Sequence, residues 1–307
     1  MLKTVLRTAV GVGGVLLAVL FALWLYPGLV LLAHPAIKSR SPYCTVWRGV
    51  LDAKVKVREA EAAAEIGRGS RRVRSEGALD LWETPLGQYW VPRGNDQILP
   101  ILLAQQQRRI YGRDQEDGVH TGDIVLDCGA HVGVFTKTAL AAGARLVVAI
   151  EPSPDAIEAL RRNLAAEVKA GRVIIYPKGV WDREDNLTLF ANGNSSAANS
   201  FVNRESQASD LPNIPVTTID RLVNELQLPR VDFIKADIKG ASERALRGGA
   251  SVLASSHPRL AISTEELPED PRAIADLVVR LVGDYRARGG PCLFDGQEIY
   301  TDVMFFH

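Results

Sequence analysis

The stretch IVLDCGAHVGVFTKTAL, residues 124–140, constrains this chain more than any other segment. Three apolar residues, Ile124, Val125 and Leu126, lead into Asp127; Gly129 and Gly133 follow, and helix-forming residues then run on to Gly143. That order predicts a buried strand, a tight glycine turn and a helix, the opening βα unit of a nucleotide-binding α/β domain. Gly129 lets the chain turn sharply, Gly133 lets strand and helix approach, and the helix N-terminus presents unpaired N–H groups to the turn. Dinucleotide-binding domains carry G-x-G-x-x-G around a pyrophosphate. Residues 129–133 read G-A-H-V-G instead, behind the acid Asp127. The missing motif argues against a nicotinamide oxidoreductase. The acid suits a ligand with a cationic amine and no phosphate, such as S-adenosylmethionine.

A second acid supports this choice. RLVVAIEPSP, residues 145–154, reads as a second buried strand ending in Glu151. Glu151 follows Asp127 by some two dozen residues, close to the ~20 expected between a glycine turn and a ribose-binding acid. A carboxylate there can accept hydrogen bonds from both ribose hydroxyls. Ser153 and Pro154 then open a helix as N-cap and first residue, and Ile157, Leu160, Leu164 and Val168 form its apolar stripe.

Lysine plus arginine and aspartate plus glutamate each number 36 in 307 residues, so overall charge gives no reason to expect a nucleic-acid partner. Three widely spaced cysteines, Cys44, Cys128 and Cys292, fit a reducing compartment better than a disulfide framework. Cys128, in the glycine turn, reads as a small packed residue rather than a nucleophile. No C-x-x-C or H-E-x-x-H spacing points to a metal. The N-terminus differs in kind. Residues 8–37 hold no charged side chain and residues 9–33 are almost wholly apolar, longer than the ~20 residues a bilayer-spanning helix needs. The length, and the lack of a small-x-small cleavage site, favour a retained anchor over a signal peptide. Lys3 and Arg7 precede the span and Lys38, Arg40 and Arg48 follow it, so flanking charge sets no clear orientation. A methyl donor made in the cytoplasm would place the C-terminal part there.

The expected organisation is a membrane anchor over residues 1–33, a juxtamembrane linker and connecting helix over 34–78, and a catalytic domain over 79–307. Arg68, Arg71, Arg72 and Arg74 read as a solvated linker or as contacts to anionic headgroups. Leu79–Tyr89 predicts a short hairpin, and Ile98–Tyr111 a helix leading into the domain. Strands are expected at 124–127, 146–151, 173–176, 231–236 and 259–264, with an extra pair at Leu187–Phe190 and Pro215–Thr218. Cys292–Phe294 and Thr301–Phe306 read as a closing hairpin. The long Asn- and Ser-rich segment 192–213 reads as a functional loop.

VLDCGAHVG (125–133), AIEPSP (149–154), GVWD (179–182), IPVTTIDRL (214–222) and VDFIKADIKGASE (231–243) together resemble FkbM-type S-adenosylmethionine-dependent methyltransferases over roughly residues 79–307. The resemblance implies a class I methyltransferase fold, a Rossmann-like, mostly parallel sheet with a C-terminal antiparallel hairpin. It also implies O-methylation of a hydroxyl on a sugar, lipid-linked or other small metabolite. Carried over by position, Asp127, Gly129 and Gly133 frame the methionine end of the cofactor, with Ala130 and His131 between the glycines. Glu151 holds the ribose, Val180 and Asp182 edge the adenine, and Asp237 closes the site at the fourth strand. Family members read DIEGAE where this chain reads DIKGAS, so Lys239 and Ser242 replace two glutamates; Glu265-Glu266 stands where many relatives have Tyr-His.

Methyl transfer to a hydroxyl needs alignment and removal of one proton. Asp237, at the end of a central strand, is the first candidate base, His131 in the glycine turn is the second, and Lys239 is a candidate for a functional contact. The departures leave a second reading open, a cofactor-binding protein of the same fold without methyl transfer. The expected partners are a small-molecule or lipid-linked substrate and, through the N-terminal helix, a membrane; the sequence is silent on oligomeric state.

Overall fold

The computed structural model describes residues 38–112, 116–192, 195–206, 208–264, 270–294 and 297–307. Its centre is a seven-stranded sheet in the order Ala287–Gly289, Val303–Phe306, Arg259–Ser263, Phe233–Ala236, Ile124–Cys128, Leu146–Ile150, Val173–Tyr176. The last five in that order run parallel, and Val303–Phe306 lies antiparallel between Arg259–Ser263 and Ala287–Gly289. Parallel strands are covered on both faces, and their residues divide accordingly. Leu126, Val148, Ile234 and Leu260 pack with the helices Ile219–Glu225, Ala250–Ser256 and Pro271–Leu281. Val125, Val147, Phe233 and Ala261 point the other way, toward Phe135, Leu140, Leu160 and Leu164. Strand order reverses between Ile124–Cys128 and Phe233–Ala236, and the crevice beyond the carboxyl ends of such strands is where ligands gather.

The expected parallel strands are present, and the Leu79–Tyr89 hairpin is the pair Leu79–Thr84 and Gly87–Pro92, joined by a third strand, Arg71–Glu76. That third strand explains the arginine cluster: Arg71, Arg72 and Arg74 pair with Glu83, Asp80 and Glu76 along the sheet. The extra pair is present as Asp185–Ala191 against Ser209–Thr217. The closing hairpin is assembled differently. Cys292–Phe294 pairs with Glu298–Thr301, whereas Val303–Phe306, apolar and buried throughout, enters the central sheet.

Two expectations are corrected. Cys44 and Cys292 form a disulfide with Cα atoms 5.6 Å apart, and Lys38–Ser39 pairs with Glu298–Ile299 beside it. Sequence spacing could not show this, because strand pairing across the whole chain brings the two sulfurs together. Disulfides persist in oxidising environments, so the cysteines do not speak for a reducing one. Among the described residues no helix is long and apolar enough to cross a membrane. The longest, Lys54–Arg68, has 15 residues, about 22 Å, and is rich in charge. This corrects the expectation of an N-terminal transmembrane helix with single-pass placement facing the cytoplasm; the segment 9–33 on which it rested lies outside the described residues.

Candidate active site

The glycine turn sets the floor of the site. Gly129 has φ +82°, and a Cβ there would stand 2.1 Å from the Asp237 carbonyl oxygen, so only glycine lets the two strand ends approach this closely. The Gly129 and Ala130 N–H groups both donate to the Ile150 carbonyl at 3.0 Å, folding the turn back over the neighbouring strand. Gly133, at φ +87°, starts the helix Val134–Ala141 against Leu160 and Leu164.

Glu151 ends the next strand, 6% exposed. Its Oε2 accepts from the His131 N–H at 2.8 Å and its Oε1 from the Ser153 N–H at 2.9 Å, which fixes the carboxylate to the turn. Ser153 is N-cap by position, yet its side chain makes no cap; its N–H serves Glu151 instead. Burial pushes the Glu151 carboxyl up to about 7, against those two hydrogen bonds. His131 holds a left-handed conformation, φ 49°, which is costly for a residue other than glycine and is held here by its neighbours. Its Nε2 lies 2.9 Å from Ser196 Oγ, and its buried Nδ1 has no hydrogen-bond partner. Burial, helped by Lys235, lowers the ring to about 4, so it is neutral at ordinary pH.

Asp237 lies across the turn. Its Oδ2 accepts from the Tyr111 hydroxyl at 2.9 Å, and its Oδ1 is 3.2 Å from Lys239 Nζ. Burial alone would raise this carboxyl, but Lys239, Lys235 and the Tyr111 bond outweigh it and hold it at about 2. Beneath the turn sits a second pair. Lys235 Nζ lies 3.1 Å from Asp127 Oδ1 and donates to the Gly129 carbonyl at 2.6 Å, while Thr136 Oγ1 donates to Asp127 Oδ2 at 2.7 Å. Cys128, buried in the same place, has its thiol pushed up to about 12 by burial and Asp127, so it is no nucleophile at ordinary pH.

Gly129, His131, Glu151, Lys235, Asp237 and Lys239 open onto a cavity of about 340 Å³. The strand ends form one end of it and the helix Ile98–Gln107 contributes a wall. Ser195–Ser200, part of the long polar loop, lines it as well. That segment is tied down by side chains: Ser196 N–H donates to Asn95 Oδ1 at 2.7 Å, Asn199 Nδ2 to Ser153 Oγ at 3.1 Å, and Ser200 Oγ to the Lys239 carbonyl at 2.7 Å. Among the described residues no cluster of His, Cys, Asp and Glu is arranged to hold a metal ion.

The methyltransferase FkbM domain family matches residues 127–286. The chain belongs to the FkbM methyltransferase family. Among solved structures it is similar to a methyltransferase FkbM from Methylobacillus flagellatus KT, at 16% identity and TM-score 0.46, with 83% of this chain and 60% of that one covered. It is also similar to Trm5b from Pyrococcus abyssi, at 15% identity and TM-score 0.39, covering 78% and 56%. A third is TYW2 from M. jannaschii in complex with AdoMet, at 13% identity and TM-score 0.41, covering 76% and 87%. Such remote likeness says nothing of substrate, and the chain spans only about three fifths of the first relative. Among curated proteins there is no match.

In this FkbM-family chain the residues nominated from sequence divide in two. Gly129, Ala130, His131, Glu151 and Val180 line the cavity, as do Asp237 and Lys239. Asp127, Gly133 and Asp182 are not part of its lining. Asp127 is fully buried under the turn, where Lys235 and Thr136 take up its oxygens. Gly133 meets the core leucines, and Asp182 pairs outside the cavity with Arg183 and Arg244. Ser242 is buried at the start of its helix, and Glu265-Glu266 lies outside the described residues. Two cavity-lining residues escaped the sequence reading, Lys235 and Tyr111. A lysine inside an apolar strand was the available signal for the first; Tyr111 carried none.

Proposed function

We propose that this chain is an S-adenosylmethionine-dependent methyltransferase that modifies a hydroxyl of a small molecule. One observation carries the reading. A buried carboxylate, Glu151, is fixed by backbone N–H groups at the end of a strand, beside a turn whose floor at Gly129 admits no side chain. Each Glu151 oxygen keeps a further lone pair, so both ribose hydroxyls can be met without breaking the bonds that hold the turn. The Gly129–Ala130 backbone and Val180 offer close, flat contact on either side. When bound, the cofactor supplies a methyl group already activated on a cationic sulfur. The chain then has to align the acceptor, exclude water and remove one proton.

The Ser195–Ser200 segment lies against the cavity and supports the second of these tasks. For the third, the two nominated bases differ in access. Asp237 lines the cavity with its side chain 22% exposed, and it is ionised because Lys239, Lys235 and Tyr111 outweigh its burial. His131 is neutral, but its Nε2 is bonded to Ser196 Oγ and its Nδ1 has no exposed surface. Asp237 is the group a ligand can reach and we assign proton removal to it, with Lys239 beside it holding its charge. A second reading, cofactor binding without turnover, draws on the same Lys239–Asp237 pair, which neutralises the strand-end acid. Transfer of labelled methyl groups to a pool of hydroxylated metabolites separates the two.

The test of cofactor binding is calorimetry with S-adenosylmethionine on the wild-type chain and on Glu151→Ala. Loss of charge-assisted hydrogen bonds should weaken binding by about 1.5–3 kcal/mol. Equal affinity in the two proteins would remove Glu151 as the ribose contact.

A further inference from the structure

The helix Ile98–Gln107 presents Ile98, Ile101, Leu102, Gln105 and Gln106 to the cavity, spaced i, i+3, i+4, i+7, i+8 along one face. Its opposite side, Leu99, Leu103 and Ala104, is buried in the core against Leu79, Trp90 and Val132. A helix apolar on both sides is ordinarily covered on both sides. Here Ile101 remains 39% exposed on the cavity side. The face is also ordered along its length. Its apolar residues come first and its two amides last, about 5 to 12 Å further along the axis. The amide end is the one that leads through Arg108 into Tyr111, whose hydroxyl meets Asp237. Polar recognition therefore lies toward the reacting groups and apolar recognition away from them.

We infer that this helix is the acceptor-binding wall and that the acceptor is a hydroxylated amphiphile, a polar head bearing the reacting hydroxyl joined to an aliphatic part. The inference rests on the methyl-transfer reading above and names its second substrate. The Gln105 and Gln106 amides supply donors and acceptors that match a hydroxyl-rich head. Ile98 and Ile101 supply an uncharged strip for the aliphatic part, backed by Leu102, which packs in part against the core. Size agrees with this division. A cavity of about 340 Å³ is at the small end of ligand sites, so the cofactor occupies most of it and only the head of the acceptor enters. The aliphatic part then lies along the exposed strip. Arg108, ion-paired to Glu59 at 2.6 Å and to Asp302 at 2.9 Å, anchors the amide end of the helix to the body of the protein.

The experiment uses the full chain with S-adenosylhomocysteine, and two acceptor probes, monomeric n-octyl glucoside and free glucose, measured by calorimetry. Octyl glucoside should bind at least about tenfold more tightly than glucose, from burial of its chain. Ile101→Asp should erase that advantage and Ile101→Ser should reduce it, each compared at equal S-adenosylhomocysteine saturation and with the folded fraction checked by melting, because Ile101 is only 39% exposed. If S-adenosylhomocysteine binds but the two probes bind alike, or Ile101→Asp keeps the preference, the amphiphile inference is wrong and the methyl-transfer reading stands. If S-adenosylhomocysteine itself fails to bind the wild-type chain, both fall.

Discussion

Two lysine–aspartate pairs flank the glycine turn at nearly the same separation, and solvent is what tells them apart. Lys235 and Asp127 meet at 3.1 Å with side chains 4% and 0% exposed. Lys239 and Asp237 meet at 3.2 Å with side chains 18% and 22% exposed. The sealed pair joins two neighbouring strands at directly opposed positions and holds the turn from below through the Gly129 carbonyl. Both members of the open pair line the cavity, whereas of the sealed pair only Lys235 does and Asp127 is shut off from it. Distance alone would rank the two as equals. Burial makes the first costly to break and leaves the second adjustable, because removing one partner of a sealed pair strands a charge that water cannot reach.

The sharpest way to break this comparison is Lys235→Ala. It should cost about 3–5 kcal/mol of stability by leaving Asp127 unpaired. The double change Lys235→Ala with Asp127→Asn should recover much of the loss, as read by denaturant unfolding. A loss below about 1 kcal/mol would show that the sealed pair is no different from a surface one.

Glu151 provides an intermediate case, a carboxyl nearly as buried as Asp127 but held by backbone N–H groups. Its value of about 7 lies above the unfolded 4.5, so the folded chain keeps this proton to higher pH than the unfolded chain does. Its contribution to stability is therefore greatest below about 4.5 and is lost as pH rises through about 7. Cofactor affinity should run the opposite way, because the ribose contacts require the ionised form. Calorimetry at pH 5.5 to 8.5 should show binding that strengthens up to tenfold per pH unit below about 7 and levels off above it. Glu151→Gln should flatten that slope. A slope that survives the substitution belongs to another group.

Lys239→Ala should do the least to stability, within about 1 kcal/mol. Its visible consequence is electrostatic: the Asp237 carboxyl should rise from about 2 toward its ordinary value, read by carboxyl NMR titration. Unfolding comparable to that of Lys235→Ala would erase the distinction between the two pairs.

What was legible in the sequence was what is local. The glycine turn could be read because a left-handed residue at a close approach leaves few choices, and Glu151 because it ends an apolar run at a familiar spacing. Lys235 had a local signal that went unused. It interrupts Phe233–Ala236, a strand buried along its whole length, and a lysine is almost never buried without a partner. Finding that partner needs the register between strands more than a hundred residues apart, which spacing does not supply. Tyr111 reaches Asp237 across 126 residues and lies in the turn after the helix Ile98–Gln107, where the pattern predicts helix through to Tyr111. Asp127, nominated for the cofactor, shows the same limit of local pattern. Its neighbour along the chain is the turn, but its neighbour across the sheet is Lys235, and the nearer charge takes it.

The bond between Cys44 and Cys292 closes 248 residues of separation into a covalent ring, and the ring encloses the glycine turn, Glu151, Asp237 and the helix Ile98–Gln107. Continuity of the backbone is then no longer the only thing that keeps the two sides of the cavity in one molecule. A chain cut once inside the ring remains a single covalent body, and its halves part only when the cut is joined by a reductant. The chain just before the helix Val46–Asp52 is thus fastened to the strand Cys292–Phe294 of the small sheet by a route independent of the connections through the core.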